Sequence, residues 1–220
     1  MIIAIDGPAA SGKSTTAIGV AKCLGITYLD TGAMYRAVTF GLIENDIKFE
    51  DSSELDNYLK QIKLKLSETK TGVILNLDGR NISKEIRSSK VTENVSEVSA
   101  LKSVRDSMVL IQRKMAKKND CILEGRDIGT VVFPDADFKF FLIADEKVRA
   151  KRRQNDLKKM GEQKSIENVT RDIIIRDYKD STRKHSPLIK SENAIIIDTS
   201  KLGINKVIDK IVNIVNKKGH

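Results

Sequence analysis

The chain opens MIIAIDGPAASGKSTTA, and the stretch from Gly7 to Ser14 satisfies G-x-x-x-x-G-K-[ST]. An apolar run, Ile2 to Ile5, leads into this glycine turn, and Lys13 to Leu24 then carries helical periodicity. Strand, loop and helix in that order are the context a phosphate loop needs, and with the alternation along the rest of the chain they predict an α/β architecture, a parallel sheet wrapped by helices on both faces. The glycines let successive backbone N–H groups converge on an anion at the positive end of the following helix. Lys13 is the residue type that reaches terminal phosphates, and the Ser14 hydroxyl suits Mg²⁺. Gly7, Pro8, Ala9, Ala10, Ser11, Gly12, Lys13, Ser14 and Thr15 are therefore the expected phosphate-donor site, with ATP as donor and Ser14 on the metal.

Beyond the loop, Ile26 to Leu29 reads as a second strand and Thr31 to about Glu44 as a helix. Asp51 with Glu54 three residues on predicts a helix start for ELDNYLKQI. The pattern then changes. Lys63 to Ile82 alternates apolar and polar residues around a Thr-Gly and an Asp-Gly turn, which predicts a small antiparallel sheet inserted into the strand-helix alternation. Alternation resumes with a helix over Leu101 to Lys118, buried strands at CILEG and KFFLIA, and charged helices over Glu146 to Met160 and Ser165 to Arg183. AIIID supplies one more strand, and Ile204, Val207, Ile208, Ile211 and Val215 mark the apolar face of a closing helix.

The formal charge of +9 admits nucleic acid, an anionic surface or small phosphorylated molecules as partners. Much of the excess is lysine on helical segments such as KMAKKN, and the chain has no Trp and no basic patch interleaved with aromatics. Base-stacking platforms are thus poorly supplied, which favours phosphate-bearing small molecules over nucleic acid. No apolar run approaches the roughly 18 residues that cross a bilayer. MIIAIDG lacks a basic lead and a small-residue cleavage site, so it does not read as a secretory signal. Cys23 and Cys121 stand in a predicted helix and strand with no metal or redox spacing, as expected of buried thiols in a reducing cytoplasm.

Which group accepts the phosphate follows from residues further along. A GTPase would carry Asn-Lys-x-Asp, which is missing, and helicases and transporters are longer; a small kinase remains. A hydroxyl acceptor needs a general base. A phosphate monoester, with its second pKa near 6, is already a nucleophile, and its difficulty is repulsion from the triphosphate. Arginine relieves that repulsion, because its planar fork holds phosphate oxygens bidentately. The chain supplies Arg36, Arg105, Arg126, Arg149, Arg152, Arg153, Arg176 and Arg183. Arg176, Asp180 and Arg183 stand at i, i+4 and i+7 and share a helical face, either as a surface pair or as a ligand set. For Arg149, Arg152 and Arg153 a solvated face and a phosphate lid are both open readings.

Taken together, IDGPAASGKSTTA, LDTGAMYRAVT, LDGRNISKEIRS, VSEVSALKSVRDSM, EGRDIGTVVFPDADFKFFL and RDYKDSTRKHSPL resemble the bacterial cytidylate kinase family over nearly the whole chain. The resemblance implies phosphorylation of CMP and dCMP with Mg²⁺-ATP on a P-loop NTPase core, with an enlarged NMP-binding insert that contains a small antiparallel sheet, and a short lid. The implied boundaries are a core of about 1–34, 92–145 and 165–220, an insert of about 35–91 and a lid of about 146–164. Residue by residue, the resemblance implies that Thr31, Tyr35 and Arg36 line the acceptor pocket, with Arg36 and Arg126 on the CMP phosphate. It implies that Ser96, Arg105 and Asp127 read cytosine, that Arg176 and Asp180 contact the sugar and that Arg183 lies near the phosphate. Lys13, Arg126, Arg149, Arg153 and Arg183 are then the catalytic cations. Thr31 stands where some relatives have Ser, and Ser14 where some have Gly or Thr; both changes keep or add a hydroxyl.

Other readings of single residues stay open. Tyr35 suits a core position, Ser96 a helix cap, and Asp127 a pairing with a nearby arginine. Glu124, Asp6 and Asp198 compete as the carboxylate that orders metal-bound water. The expected protein is a monomeric, cytoplasmic kinase of ATP and CMP or dCMP, with no nucleic-acid or membrane partner. A kinase of another small metabolite and a nucleic-acid-stimulated ATPase are the alternatives.

Overall fold

The computed structural model describes residues 1–69, 72–117 and 119–218. By packing, these divide into two compact units, one of residues 1–29 with 116–220 and one of residues 30–115.

The first unit is built on a five-stranded sheet. Its strands are β1 (Ile2–Asp6), β2 (Thr27–Asp30), β6 (Cys121–Gly125), β7 (Phe138–Ile143) and β8 (Ile195–Asp198). Their order is β2-β6-β1-β7-β8, and β1 pairs in parallel with both β6 and β7, as β7 does with β8. This order puts the carboxyl ends of β1, β6 and β7 side by side, and α/β sheets gather ligand groups at strand carboxyl ends. Helices α1 (Lys13–Leu24) and α8 (Ile204–Lys218) bury Ala17, Val20, Val207, Ile211 and Val215 against Ile3, Ile5, Phe140 and Leu142 on one face of the sheet. Ile204 is an exception to the expected apolar face, being 40% exposed at the first position of α8. Gly19 sits where a Cβ would lie 2.2 Å from Ile208, so the two helices approach closely there. Two further helices, α6 (Glu146–Lys159) and α7 (Ile166–Thr182), pack together through Ala150, Leu157, Val169 and Ile173, with Ala9 of the phosphate loop in the same cluster.

The second unit holds α2 (Thr31–Glu44), α3 (Ser53–Gln61), α4 (Ser89–Val98) and α5 (Lys102–Ala116) together with a three-stranded antiparallel sheet. That sheet is β3 (Leu64–Thr69), β4 (Gly72–Leu77) and β5 (Arg80–Asn81), as the alternating pattern predicts. Asp78 and Gly79 both take positive φ between β4 and β5, the geometry of the expected Asp-Gly turn. The expected Thr-Gly turn includes Thr71, which lies outside the described residues, as does Lys118. Val91, Val95 and Val98 of α4 and Val104 and Met108 of α5 join Met34, Val38 and Leu42 of α2 in one core. Packing gathers residues 30–115 into this unit, a range that includes the insert of about 35–91 implied by the resemblance.

Helix α3 starts one residue later than the Asp51 signal predicts. Ser52 is the N-cap, its hydroxyl accepting from the Leu55 N–H at 3.2 Å. Asp51 instead accepts from the N–H groups of Lys102 and Ser103 at the head of α5. A carboxylate beside two helix starts can serve either, and tertiary packing assigns it to the distant one.

Ile211, fully buried on α8, and Ile204 on the same helix should respond differently to truncation. Ile211→Ala is expected to cost about 2–5 kcal/mol in denaturant unfolding, and Ile204→Ala no more than about 0.5 kcal/mol.

Candidate active site

The phosphate loop takes the backbone shape that its glycines predict. Gly12 has φ 95° at the N-cap of α1. A Cβ on Gly7 would sit 2.2 Å from the Leu142 carbonyl oxygen, so only glycine lets the loop leave β1 against β7. Ala10, at φ 57°, is held in the left-handed region without glycine's freedom. Lys13 is buried and its ammonium donates to the Pro8 carbonyl at 2.7 Å. Burial, with Arg126 next in importance, pushes Lys13 down to about 7.

At the carboxyl end of β6, Glu124 is 6% exposed and accepts from the Ser14 hydroxyl at 2.6 Å and the Tyr28 hydroxyl at 3.3 Å. A hydroxyl and a carboxylate at the edge of a phosphate loop are the oxygen donors that suit Mg²⁺, which binds one or two protein ligands and otherwise phosphate and water. The competing carboxylates are committed elsewhere. Asp6 accepts two backbone N–H groups, and Asp198, on β8, accepts from the Ser200 hydroxyl and amide.

Just past β6, Arg126 donates to Asp180 at 2.8 Å, and Arg176 approaches the same carboxylate at 4.0 Å. Burial pushes the Asp180 carboxyl up, but Arg126 and Arg176 outweigh it and hold the group below the usual carboxylate range. Burial, followed by Arg126, lowers Arg176 to about 10. Asp127 and Arg183 face each other at 3.6 Å, both side chains almost inaccessible. The arginine pairing that the sequence left open for Asp127 is therefore present. The face shared by Arg176, Asp180 and Arg183 is thus folded onto the EGRDIG segment and is not a surface pair.

Arg149 and Arg152 also turn inward. Arg149 donates to the Ala9 carbonyl at 3.1 Å and to Asp177, whose carboxylate accepts the Ala9 N–H at 2.8 Å. Arg152 donates to the hydroxyl and carbonyl of Thr199, and the Thr199 hydroxyl donates to the Ser11 carbonyl at 3.0 Å. For these two residues the solvated-face reading falls, because both guanidinium groups are tied to the phosphate loop or its support. Arg153 is partly buried and contributes to the depressed pKa of Arg176. Sequence reasoning missed Asp177 and Thr199: Asp177 stands inside RDYKDSTRKHSPL with nothing local to mark its role, Thr199 lies outside the quoted stretches, and their partners on the phosphate loop lie 168 and 188 residues away.

Within the second unit, the Arg105 guanidinium lies 4.9 Å from the Tyr35 ring centroid, and its Nη1 donates to the Ser99 carbonyl at 3.3 Å. Tyr35 is buried in the unit's core, so the core reading of this residue holds alongside its contact with Arg105. Ser99 also donates to the carbonyl of Ser96, linking two of the expected base-reading residues. Ser96 lies inside α4 and Ser88 is that helix's cap, so the capping alternative for Ser96 falls. Thr31, 2% exposed, opens α2 behind the N-cap Asp30. Arg36 is fastened by the Ile86 carbonyl and the Thr92 hydroxyl at 3.0 and 2.9 Å.

A polyphosphate entering the loop should return Lys13 to its charged form. Because Lys13 sits near 7 in place of 10.5, binding at about pH 8 is expected to take up a fraction of a proton, up to about one. Calorimetry in two buffers of different ionisation enthalpy measures this; zero uptake would contradict a buried, depressed lysine in the loop.

Comparison with known proteins follows the same lines. The cytidylate kinase family model matches residues 3–217. Proteins described as cytidylate kinase from Lactobacillus johnsonii and Fusobacterium nucleatum are each 45% identical over 218 residues, covering 99% of this chain and 95% and 96% of theirs. In fold, the chain is similar to a shikimate kinase from Bacteroides thetaiotaomicron, with a TM-score of 0.50 at 11% identity over 98% of both chains. Because the family model spans residues 3–217 and a relative 45% identical covers 99% of the chain, this chain belongs to the cytidylate kinase family.

Proposed function

We propose that the protein transfers the γ-phosphoryl group of ATP to CMP and dCMP, giving CDP and dCDP, by direct in-line displacement. The observation that carries this reading is the set of arginines, Arg126, Arg176 and Arg183, gathered on two buried aspartates in the unit that holds the phosphate loop. Family membership and the naming of the relatives as cytidylate kinases support it.

The acceptor is a phosphate monoester, ionised at neutral pH, so no side chain has to remove a proton from it. The protein's task is to bring two polyanions into line and neutralise their mutual repulsion. Loop amides and Lys13 hold the donor; Arg36, Arg126 and Arg183 hold the acceptor phosphate. Arg149 and Arg153 stabilise the charge that spreads over the transferring group. Ser14, with Glu124 behind it, would hold Mg²⁺, which would supply positive charge against that developing on the phosphates. Asp127 accepts from the cytosine amine, with Ser96 and Arg105 completing the base contacts, and Arg176 and Asp180 hold the sugar. Thr31 and Tyr35 line the acceptor pocket, residues of about 35–91 form the NMP-binding insert, and about 146–164 act as the lid that excludes water.

All these groups belong to one chain, so a monomer suffices. The reading places the protein in the cytoplasm, where both nucleotides occur; no described helix is long and apolar enough to cross a membrane.

ADP formation from Mg-ATP should be fast with CMP and dCMP and slow with UMP, AMP, GMP or shikimate, and single-stranded RNA should not stimulate it. RNA-stimulated hydrolysis without monophosphate phosphorylation would favour the ATPase alternative. Arg126→Ala is expected to lower kcat/KM for CMP by about 10²–10³-fold, and Asp127→Ala to reduce the preference for CMP over UMP by about tenfold or more. Near-normal rates in the first variant would remove Arg126 from its role.

A further inference from the structure

Asp6 is the last residue of β1, immediately before the phosphate loop, and is 3% exposed. Its Oδ1 accepts the Ile128 N–H at 2.9 Å and its Oδ2 the Gly129 N–H at 2.7 Å. Those amides open the π-helical turn Ile128–Val132, which follows directly on Arg126 and Asp127. Inside the turn, Val131 and Val132 donate to the Asp127 carbonyl and Phe133 to that of Ile128. The first amides of any helical turn have no acceptor within it, and here one side chain from a different strand supplies both. A Cβ on Gly129 would come within 3.4 Å of Asp6 Oδ2 and 3.3 Å of Lys139, so glycine permits the close approach.

We propose that Asp6 is a positioning residue whose carboxylate clamps the Ile128 and Gly129 amides and so fixes Arg126 and Asp127 relative to the phosphate loop. One residue thereby ties the donor loop to the segment that bears an acceptor-phosphate arginine and a base-reading carboxylate. The inference rests on the acceptor roles given above to Arg126 and Asp127. Two acceptor oxygens in fixed positions are what consecutive amides require, and a neutral amide side chain offers only one.

The clamp is also sensitive to protonation. Burial raises Asp6 to about 6; the Gly129 and Ile128 amides oppose that rise, Asp127 adds to it, and Lys13 of the loop opposes it. From β7, Lys139 lies along Gly129 with its ammonium on the Pro134 carbonyl. Below about pH 6 the carboxylate gains a proton and one oxygen ceases to be a simple acceptor.

Asp6→Asn tests this. At about pH 7.5 the variant is expected to lose about tenfold or more in kcat/KM for CMP, with KM for ATP within about threefold of the wild type. The ratio of wild-type to variant kcat/KM should contract towards one as pH falls from about 7.5 to about 5.5, the titration of CMP itself cancelling in that ratio. Unchanged CMP kinetics, or equal losses for ATP and CMP at all pH values, would overturn the proposal. A second measurement needs no variant: in ¹⁵N-labelled wild-type protein, the Ile128 and Gly129 amide resonances should titrate together near pH 6. Amides that share no common titration anywhere between about pH 3 and about pH 8 overturn the clamp even if the variant fails to fold, whatever the midpoint. Should the wild type phosphorylate no monophosphate, the acceptor reading fails, while the amide titration still decides whether Asp6 holds the turn.

Discussion

Positive charge that the protein only partly neutralises is the constraint around which the first unit is organised. Lys13, Arg126, Arg176 and Arg183 are brought together against Glu124, Asp127 and Asp180, and burial leaves the mark of this crowding in Lys13, near 7, and Arg176, near 10. Withdrawing cations from water costs free energy that carboxylates only partly return. A protein selected for stability alone would fill such a region with apolar side chains. A protein that must accept two phosphorylated nucleotides has reason to keep the excess, because the incoming anions supply the missing charge.

The carboxylates are spread among distinct tasks, and each task follows from what the group can reach. Asp180 holds Arg126 and Arg176 in place, Asp127 faces Arg183, and Asp177 anchors Ala9 of the phosphate loop together with Arg149. Glu124, at the end of its strand, meets the Ser14 hydroxyl. Arginines proposed for substrate are thus held by fixed anions of the protein itself. Side chains ordered in advance lose less entropy when phosphate arrives than side chains that must be gathered from solvent. Arg36 and Arg105 of the second unit follow the same rule with carbonyl and hydroxyl acceptors from their own unit.

Legibility in the sequence depended on how far each relationship reaches along the chain. The loop, the helices α1, α2, α6 and α7 and the antiparallel sheet were readable because motif, capping and periodicity act within a few residues. The shared face of Arg176, Asp180 and Arg183 was readable for the same reason. Helix α4 was missed although Val91, Val95 and Val98 stand at helical spacing behind a Ser88 cap; what the sequence does not carry is the core of α2 and α5 that this face packs into. Asp51 shows the limit well: its local pattern marks α3, yet its carboxylate serves α5, fifty residues on. The burial of Arg149 and Arg152 was equally beyond local reach, since a charged helix face reads the same whether it meets water or a loop.

By itself, the sequence determined the phosphate loop, the strand and helix alternation, the interrupting small sheet and the family to which the chain belongs. These depend on residue type and spacing, which set backbone conformation and amphipathic faces locally. Tertiary structure alone decided the pairings: Arg126 with Asp180 across 54 residues, Asp6 with Ile128 across 122, and Arg149 with Ala9 across 140. The physical reason is the strand order β2-β6-β1-β7-β8, which places sequence-distant strand ends beside one another. A charged side chain's partner is set by that adjacency, and no local pattern carries it.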